Sequence, residues 1–396
     1  MTPLPVKDRF HMPDGMIYLD GNSLGPLPKT VPDRVTKMIR QEWGQSLIRG
    51  WNAEGWMAQP AALGDRVGQF IGAPAGTTVL GDTLSLKVYQ ALAAALTMRP
   101  GRKHILSDTG NFPTDLYMAE GLTGLLDRGH ELHLVQPEEV AAHITADTAV
   151  VMLTHVDYRT GRMHDMNAIT KAAHDAGAVM IWDLAHSAGA VPVDLTASNC
   201  DFAVGCTYKY LNGGPGAPAF IYVRPDLINT FDPALSGWLG HDAPFAFEPG
   251  YRPAPSIERM RVGTPPVLQM TALEAALDVW DGITMEAVRV ASVALCDLFI
   301  TEVERRCPDL HLVSPRDASQ RGSQVSFAFD QGYAAMQALI AANVIGDFRA
   351  PNIMRFGFTP LFIDAADVTE AATRLEHILK TKTYEAPQFQ TRNRVT

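Results

Sequence analysis

Two residues carry most of the chemistry in this sequence. Asp183 lies in Trp182-Asp183-Leu184-Ala185-His186 at the end of an apolar run, and Lys209 lies in Thr207-Tyr208-Lys209-Tyr210-Leu211-Asn212-Gly213-Gly214. If residues 179–182 and 202–206 are buried strands, both groups leave their strands at the carboxyl end, where open α/β sheets bind ligands. A lysine amine can form a Schiff base with pyridoxal phosphate while a carboxylate pairs with the pyridinium nitrogen and keeps the ring able to accept electrons. A lone Asp and Lys at this spacing would more often make a structural ion pair. Tyr208 beside the lysine, His186 just past the acid and the glycine-rich turn that follows Lys209 turn the reading toward a phosphate-bearing cofactor.

Other groups fall where they could serve such a site. Gly81-Asp82-Thr83-Leu84-Ser85 ends an apolar run and opens a helix through Met98, so free N–H groups and hydroxyls converge at one helix N-terminus, which suits an anion as well as plain N-capping. In Asn111-Phe112-Pro113-Thr114-Asp115 an aromatic ring and a carboxylate follow a strand ending near Leu106; Phe112 could stack on a planar ring or simply fill the core. Asp157 follows the strand ending at Thr154 and is a weaker candidate. Arg355, in Ile353-Met354-Arg355-Phe356-Gly357-Phe358, is one cation among apolar residues; it could clamp a carboxylate bidentately or face solvent from an edge strand. Trp51 and Trp56 flank a glycine-punctuated loop, where indoles either pack or sandwich an aromatic substrate.

The elements that must position these groups are legible as an alternation. Apolar runs at 104–106, 132–135, 150–154, 179–182, 202–206 and 219–223 are separated by helical or turn segments. The clearest unit is 150–154, then a helix over 165–176 with Met166, Ile169, Ala172, Ala173 and Ala176 on one face, then Gly177 as a stop and the next strand. Such βαβ crossovers predict a mainly parallel, doubly wound sheet. Ahead of it stand a turn cluster at residues 18–28, which holds Ser23, and a surface helix over 31–48. After it, residues 231–266 form a long Pro- and Gly-rich irregular stretch holding Trp238 and Thr264. Helices at 267–282, 285–306, 333–342 and 367–380 with strands at 310–313, 325–329 and 353–358 then make a smaller α+β domain. The division expected is 1–62 as a segment serving the small domain and the site loops, 63–266 as the large cofactor-binding domain, and 267–396 as the small domain.

Composition sets limits. The 396 residues are 46% hydrophobic and 19% charged, enough for a large core, and the net charge of −10 gives no basic footprint for nucleic acid or anionic membranes. No apolar run approaches the ~18 residues of a membrane span. The first residues lack a signal pattern, and Cys200, Cys206, Cys296 and Cys307 have no CxxC pairing, so a cytoplasmic chain with reduced, structural cysteines is expected. No ligand spacing such as HExxH supports a metal at Asp183 and His186.

Six stretches in order, Asp20-Gly21-Asn22-Ser23-Leu24-Gly25, Phe112-Pro113-Thr114-Asp115, Trp182-Asp183-Leu184-Ala185-His186, Tyr208-Lys209-Tyr210-Leu211-Asn212, Gly237-Trp238-Leu239-Gly240-His241 and Arg355-Phe356-Gly357-Phe358-Thr359-Pro360, resemble kynureninase over nearly the whole chain. The resemblance implies a fold-type-I pyridoxal-phosphate enzyme with a mainly parallel seven-stranded-type sheet, acting as a homodimer with shared active sites. It implies hydrolysis of L-kynurenine to anthranilate and L-alanine in tryptophan breakdown. By that resemblance Lys209 holds the cofactor and shuttles protons, while Asp183 and Asp115 hold the ring nitrogen. Phe112 stacks on the ring and His186 supports it. Leu84, Ser85, Tyr208 and, from a partner subunit, Trp238 and Thr264 hold the phosphate. Arg355 binds the α-carboxylate, with Ser23 and Trp51 also lining the substrate. With Trp51 and Thr264 where 3-hydroxykynurenine-preferring relatives carry His and Asn, plain kynurenine is the expected substrate. A small-substrate aminotransferase remains the rival reading. A cysteine desulfurase does not, since it needs a nucleophilic thiol on a mobile loop and residues 324–358 contain no cysteine. Nothing favours a chain that only binds the cofactor, because Lys209, Asp183 and Arg355 are all present.

Overall fold

The computed structural model describes Leu4 and residues 6–391. Its strands in chain order are β1 (Ile17–Tyr18), β2 (Thr78–Leu80), β3 (His104–Asp108), β4 (Glu131–Val135), β5 (Thr148–Thr154), β6 (Val179–Asp183), β7 (Phe202–Gly205), β8 (Phe220–Val223), β9 (His311–Leu312), β10 (Gln324–Ala328), β11 (Val344–Ile345), β12 (Asp347–Arg349) and β13 (Ile353–Gly357). Seven of them form one sheet in the order β2-β8-β7-β6-β5-β3-β4. β4, β3, β5, β6 and β7 run parallel, and β8 is antiparallel to both of its neighbours.

The central strands are apolar runs because both of their faces are covered. Val151, Leu153, Met180 and Trp182 point into one cluster, while Val150, Met152, Val179 and Ile181 point into the other. The helix Leu84–Met98, rich in alanine, covers the second face; Met166–Asp175, capped by Asp165 accepting from Ala168 N at 2.9 Å, covers the first. The β5–β6 register pairs Thr154 with Asp183, and β6–β7 pairs Asp183 with Val204, so the chain turns out of the sheet at the same level on all three strands.

The smaller sheet, β12-β13-β10-β9, is antiparallel. It packs with Met285–Arg306 and Ala365–Lys380 around Phe299, Phe327, Phe356 and Leu375, in an apolar cluster continuous with Trp182 of the large sheet and Leu211 of the turn after Lys209. β1 pairs with β11 in parallel, which stitches the start of the chain to its last third.

Two expectations need correction. The predicted 31–48 helix is regular only over Val31–Lys37; it widens into π-type turns over Met38–Ser46 and continues in short turns to Ala53. β1, β11 and β12 are additions to the expected strands, because two or three residues give too short a pattern to separate a strand from a turn.

Candidate active site

Lys209 and Asp183 meet at the carboxyl end of the parallel strands. Lys209 is 9% exposed, and its Nζ lies 2.9 Å from Nε2 of His186. Burial, followed by the charge of Lys209, pushes the His186 imidazole well below its usual range, so it is neutral and its Nε2 accepts from the amine. Asp183 ends β6 and accepts from Ala185 N at 2.7 Å. Asp115, in the first turn of the helix Pro113–Leu126, reaches the same spot from another strand end. The two carboxyls interact directly, and burial raises both; repulsion by Asp183 raises Asp115 further, while Ala185 N–H and Lys209 hold Asp183 down. Apart from that contact with Asp183, both Asp115 oxygens are buried and have no hydrogen-bond partner among the described residues, and neither does Nδ1 of His186. Such a pair of acids beside one amine is suited to a cationic N–H donor on a flat heterocycle.

The anion end is built beside it. Thr83, the N-cap of Leu84–Met98, makes no side-chain bond to the helix, so its hydroxyl and the first helical N–H groups, including those of Leu84 and Ser85, lack local partners. Gly81 N donates to Ala219 O at 2.9 Å and Thr207 donates from Oγ1 to Pro218 O at 2.7 Å, which fastens this helix start to the lysine loop. Tyr208 is partly buried over Lys209, with Nζ 5.7 Å from its ring centroid. Phe112, 39% exposed, stands edge-on to Tyr158 with centroids 5.1 Å apart. Asn111 fixes it there: Asn111 Oδ1 accepts from Phe112 N at 2.7 Å and from Thr154 Oγ1 at 2.5 Å.

The third part joins the two ends of the chain. Arg355 on β13 donates from Nε to Asp347 Oδ1 at 2.7 Å, from Nη1 to Tyr158 O at 2.6 Å, and from Nη2 to Ser23 Oγ at 2.6 Å and to Asp347 Oδ2. Ser23 belongs to the loop whose Gly-, Asn- and Pro-rich sequence marks it as an irregular turn. That loop also touches the lysine: Gly25 N donates to Tyr208 O at 2.8 Å. A Cβ on Gly25 would sit far inside contact distance of both Lys209 O and Asn212 Oδ1. Gly25→Ala is therefore expected to cost about 2 kcal/mol by overpacking against backbone, and to lower cofactor affinity by shifting Lys209. A melting curve with a cofactor titration checks it; an unchanged variant would show that the loop yields freely.

Several predicted residues are not drawn together within one chain. Trp51 packs edge-on against Trp56, centroids 5.7 Å apart. Trp238 is 43% exposed and stacks edge-on with Phe245, while Thr264 is exposed. Their loops are tied to each other, Leu239 N donating to Val262 O at 3.3 Å, but among the described residues neither side chain bonds to Lys209, Asp183 or Phe112. Asp157 is consumed by its own turn, accepting from Arg159 N and Thr160 N at 2.7 Å each. Sequence patterns do not single out Asp347, Arg349, Tyr158, Asn111 or the side chain of Asp20. Only the polar alternation Asp347-Phe348-Arg349 ahead of the Arg355 strand could point to the first two. All four cysteines are buried, and burial raises their thiols, to about 12 for Cys296 and about 11 for Cys307. None is poised as a nucleophile.

Comparison with known proteins fits this arrangement. A family profile described as "Kynureninase C-terminal domain" matches residues 288–375, and one described as "DegT/DnrJ/EryC1/StrS aminotransferase family" matches residues 35–201. The chain is 50% identical over 399 residues to a protein named kynureninase from Burkholderia pseudomallei (strain 1106a), covering 99% of this chain and 96% of that one. The chain belongs to the kynureninase family. A second kynureninase, from Pseudomonas fluorescens, is 51% identical with the same coverage. Among solved structures, a cysteine desulfurase from Thermococcus onnurineus NA1 superposes with a TM-score of 0.81 at 18% identity, covering 96% of this chain and 99% of that one. A mutant of C-DES with glycine covalently linked to its PLP cofactor superposes with a TM-score of 0.81 at 19% identity, over 94% of this chain and 99% of that one. Those likenesses show a shared fold.

Proposed function

We propose that the chain hydrolyses L-kynurenine to anthranilate and L-alanine with pyridoxal phosphate. The observation that carries the cofactor reading is the buried Asp115–Asp183 pair beside Lys209, with no further hydrogen-bond partner for either Asp115 oxygen among the described residues. The substrate reading rests on full-length kinship with kynureninases. The residues fit the cofactor: an amine for its aldehyde, carboxylates for its ring nitrogen, an aromatic face in Phe112, and the open helix start at Leu84 and Ser85 for its phosphate.

When bound, pyridoxal phosphate supplies an aldehyde for the amine and a protonated ring that draws electrons from bonds at the substrate's α and β carbons. Lys209 Nζ removes and returns the α-proton, and neutral His186 leaves the amine free to do so. Asp183, kept ionised by Ala185 N–H and Lys209, holds a proton on the ring nitrogen. Arg355 fixes the α-carboxylate, and Tyr208 with the helix start holds the phosphate. The net reaction adds water across the Cβ–Cγ bond of kynurenine. Assaying the purified chain with kynurenine and cofactor for anthranilate emission tests the proposal; no emission, with or without a keto acid, sinks it. The aminotransferase-family match over residues 35–201 keeps one rival alive, and product formation that requires a keto acid would favour it.

Plain kynurenine is the preferred substrate in this reading, because Trp51 and Thr264 offer no site built around a ring hydroxyl. kcat/KM is expected to be at least ~10-fold higher for kynurenine than for 3-hydroxykynurenine. The reverse order in a side-by-side assay rejects that assignment. Acid–base behaviour gives a further expectation. Asp20, raised to about 8 by burial and then by Asp347, is neutral at pH 7 and becomes anionic as pH rises through 8, next to Arg355. kcat/KM should fall above pH 8 as this charge competes for Arg355, and Asp20→Asn should flatten that limb; an unchanged profile in the variant removes the cause.

The same reading makes the enzyme a homodimer, with Trp238 and Thr264 reaching the partner's phosphate site. Exposed Ile39, Trp43, Leu47, Ile48, Phe245 and Phe247 supply apolar surface suited to an interface. Four buried, unpaired cysteines suit a reducing cytoplasm. Among the described residues no helix is long and apolar enough to cross a membrane. Residues 63–266 act as the cofactor domain and 267–396 as the small domain, with 1–62 serving both.

A further inference from the structure

We propose that Asp347 and the substrate's α-carboxylate compete for Arg355, and that Arg349 receives Asp347 when the substrate prevails. This rests on the reading of Arg355 as the carboxylate ligand. A guanidinium has five N–H donors, and a two-handed grip on a carboxylate uses two along one edge. The Nε/Nη2 edge of Arg355 is committed to Asp347, its other Nη2 hydrogen goes to Ser23, and one Nη1 hydrogen goes to Tyr158 O. One donor remains. A side-on grip on the substrate carboxylate through Nε and Nη2, as distinct from an end-on grip through Nη1 and Nη2 that would displace only Ser23, requires Asp347 to give way.

Asp347 cannot simply be released, since its side chain is 3% exposed and an uncompensated buried carboxylate is costly. A second cation is already in place. Arg349, two residues along β12 and on the same side of the strand, forms an ion pair with Asp347, its Nη2 2.8 Å from Oδ2, and its side chain is 32% exposed. Two guanidiniums around one carboxylate leave one positive charge over, the complement of one substrate carboxylate. Asp20, neutral at pH 7, does not cancel it. Arg349 is thus a positioning residue: it draws Asp347 off Arg355 and does not touch the reacting atoms.

Steady-state kinetics on the holoenzyme with kynurenine test the exchange. Arg349→Gln is expected to raise KM by roughly tenfold or more with kcat within about twofold, and Arg349→Lys to recover most of that loss. The deciding variant is the double substitution Arg349→Gln with Asp347→Asn. With the competitor gone, KM should fall back below that of Arg349→Gln alone, whereas a merely structural role would make the two losses multiply. The inhibition constant of decarboxylated kynurenine should be unmoved by Arg349→Gln. An unchanged KM in Arg349→Gln, or multiplied losses in the double variant, overturns the exchange while leaving Arg355 as the carboxylate ligand. Equal wild-type affinity for kynurenine and its decarboxylated analogue would instead overturn the role of Arg355 itself. Melting temperatures within a few degrees of wild type establish that each variant is folded.

Discussion

Replacing Lys209 by alanine is expected to lower kcat on the order of 10⁴-fold, the upper range for loss of a positioned proton-transfer group, and to remove the covalent tether for the cofactor as well. Among the described residues there is no nearby substitute of equal freedom. Lys87 is fully buried, but its Nζ is bound to Asp82 at 3.2 Å, to Gln90 at 3.0 Å and to Met260 O at 3.1 Å. Lys209 has one neutral imidazole partner and a pair of acids beyond it, the surroundings of an amine that must be held but not locked. Borohydride treatment of the wild type followed by peptide mapping should tag Lys209; label on Lys87, or a Lys209→Ala variant that keeps most of its normal turnover, would reassign the tether.

The second large effect is expected at Asp183. Asp183→Asn keeps the shape and the hydrogen bond from Ala185 N but removes the charge that keeps a proton on the ring nitrogen, and kcat should drop by ~10² to 10³. Asp115 is a poor replacement. Burial and the proximity of Asp183 favour its neutral form, and with Asp183 gone burial alone still does so. The variant should still bind cofactor through Lys209 and the helix start, so the loss separates from affinity. Near-normal turnover at saturating cofactor would show that Asp115 alone suffices, and the two acids would exchange roles.

How much of this is legible in the sequence follows from which forces act locally. The parallel core is readable because β5 and β6 are buried on both faces and therefore appear as unbroken apolar runs with Asp183 at their end. The helix Met285–Arg306 matches its periodic pattern to the residue. The Asp183–Lys209 juxtaposition follows from strand ends alone. The Asp347 pairing does not: it depends on an antiparallel register, Asp347 opposite Arg355, that no local pattern encodes. Nor does the contact of Gly25 with the lysine loop, which depends on how a turn packs against a distant backbone. Trp238 and Thr264 show the other limit. Their loops are tied together and their side chains are exposed, and among the described residues neither bonds to Lys209, Asp183 or Phe112.

Ser23 and Arg355 are bonded across 332 positions of sequence. During synthesis Lys209 emerges well before the grip on the carboxylate can exist, since that grip waits for β12 and β13 to meet a loop made much earlier. Contacts of such separation are late and slow to form. A chain ending before residue 347 would therefore carry Lys209 without the cation that meets Ser23 across the two ends of the fold.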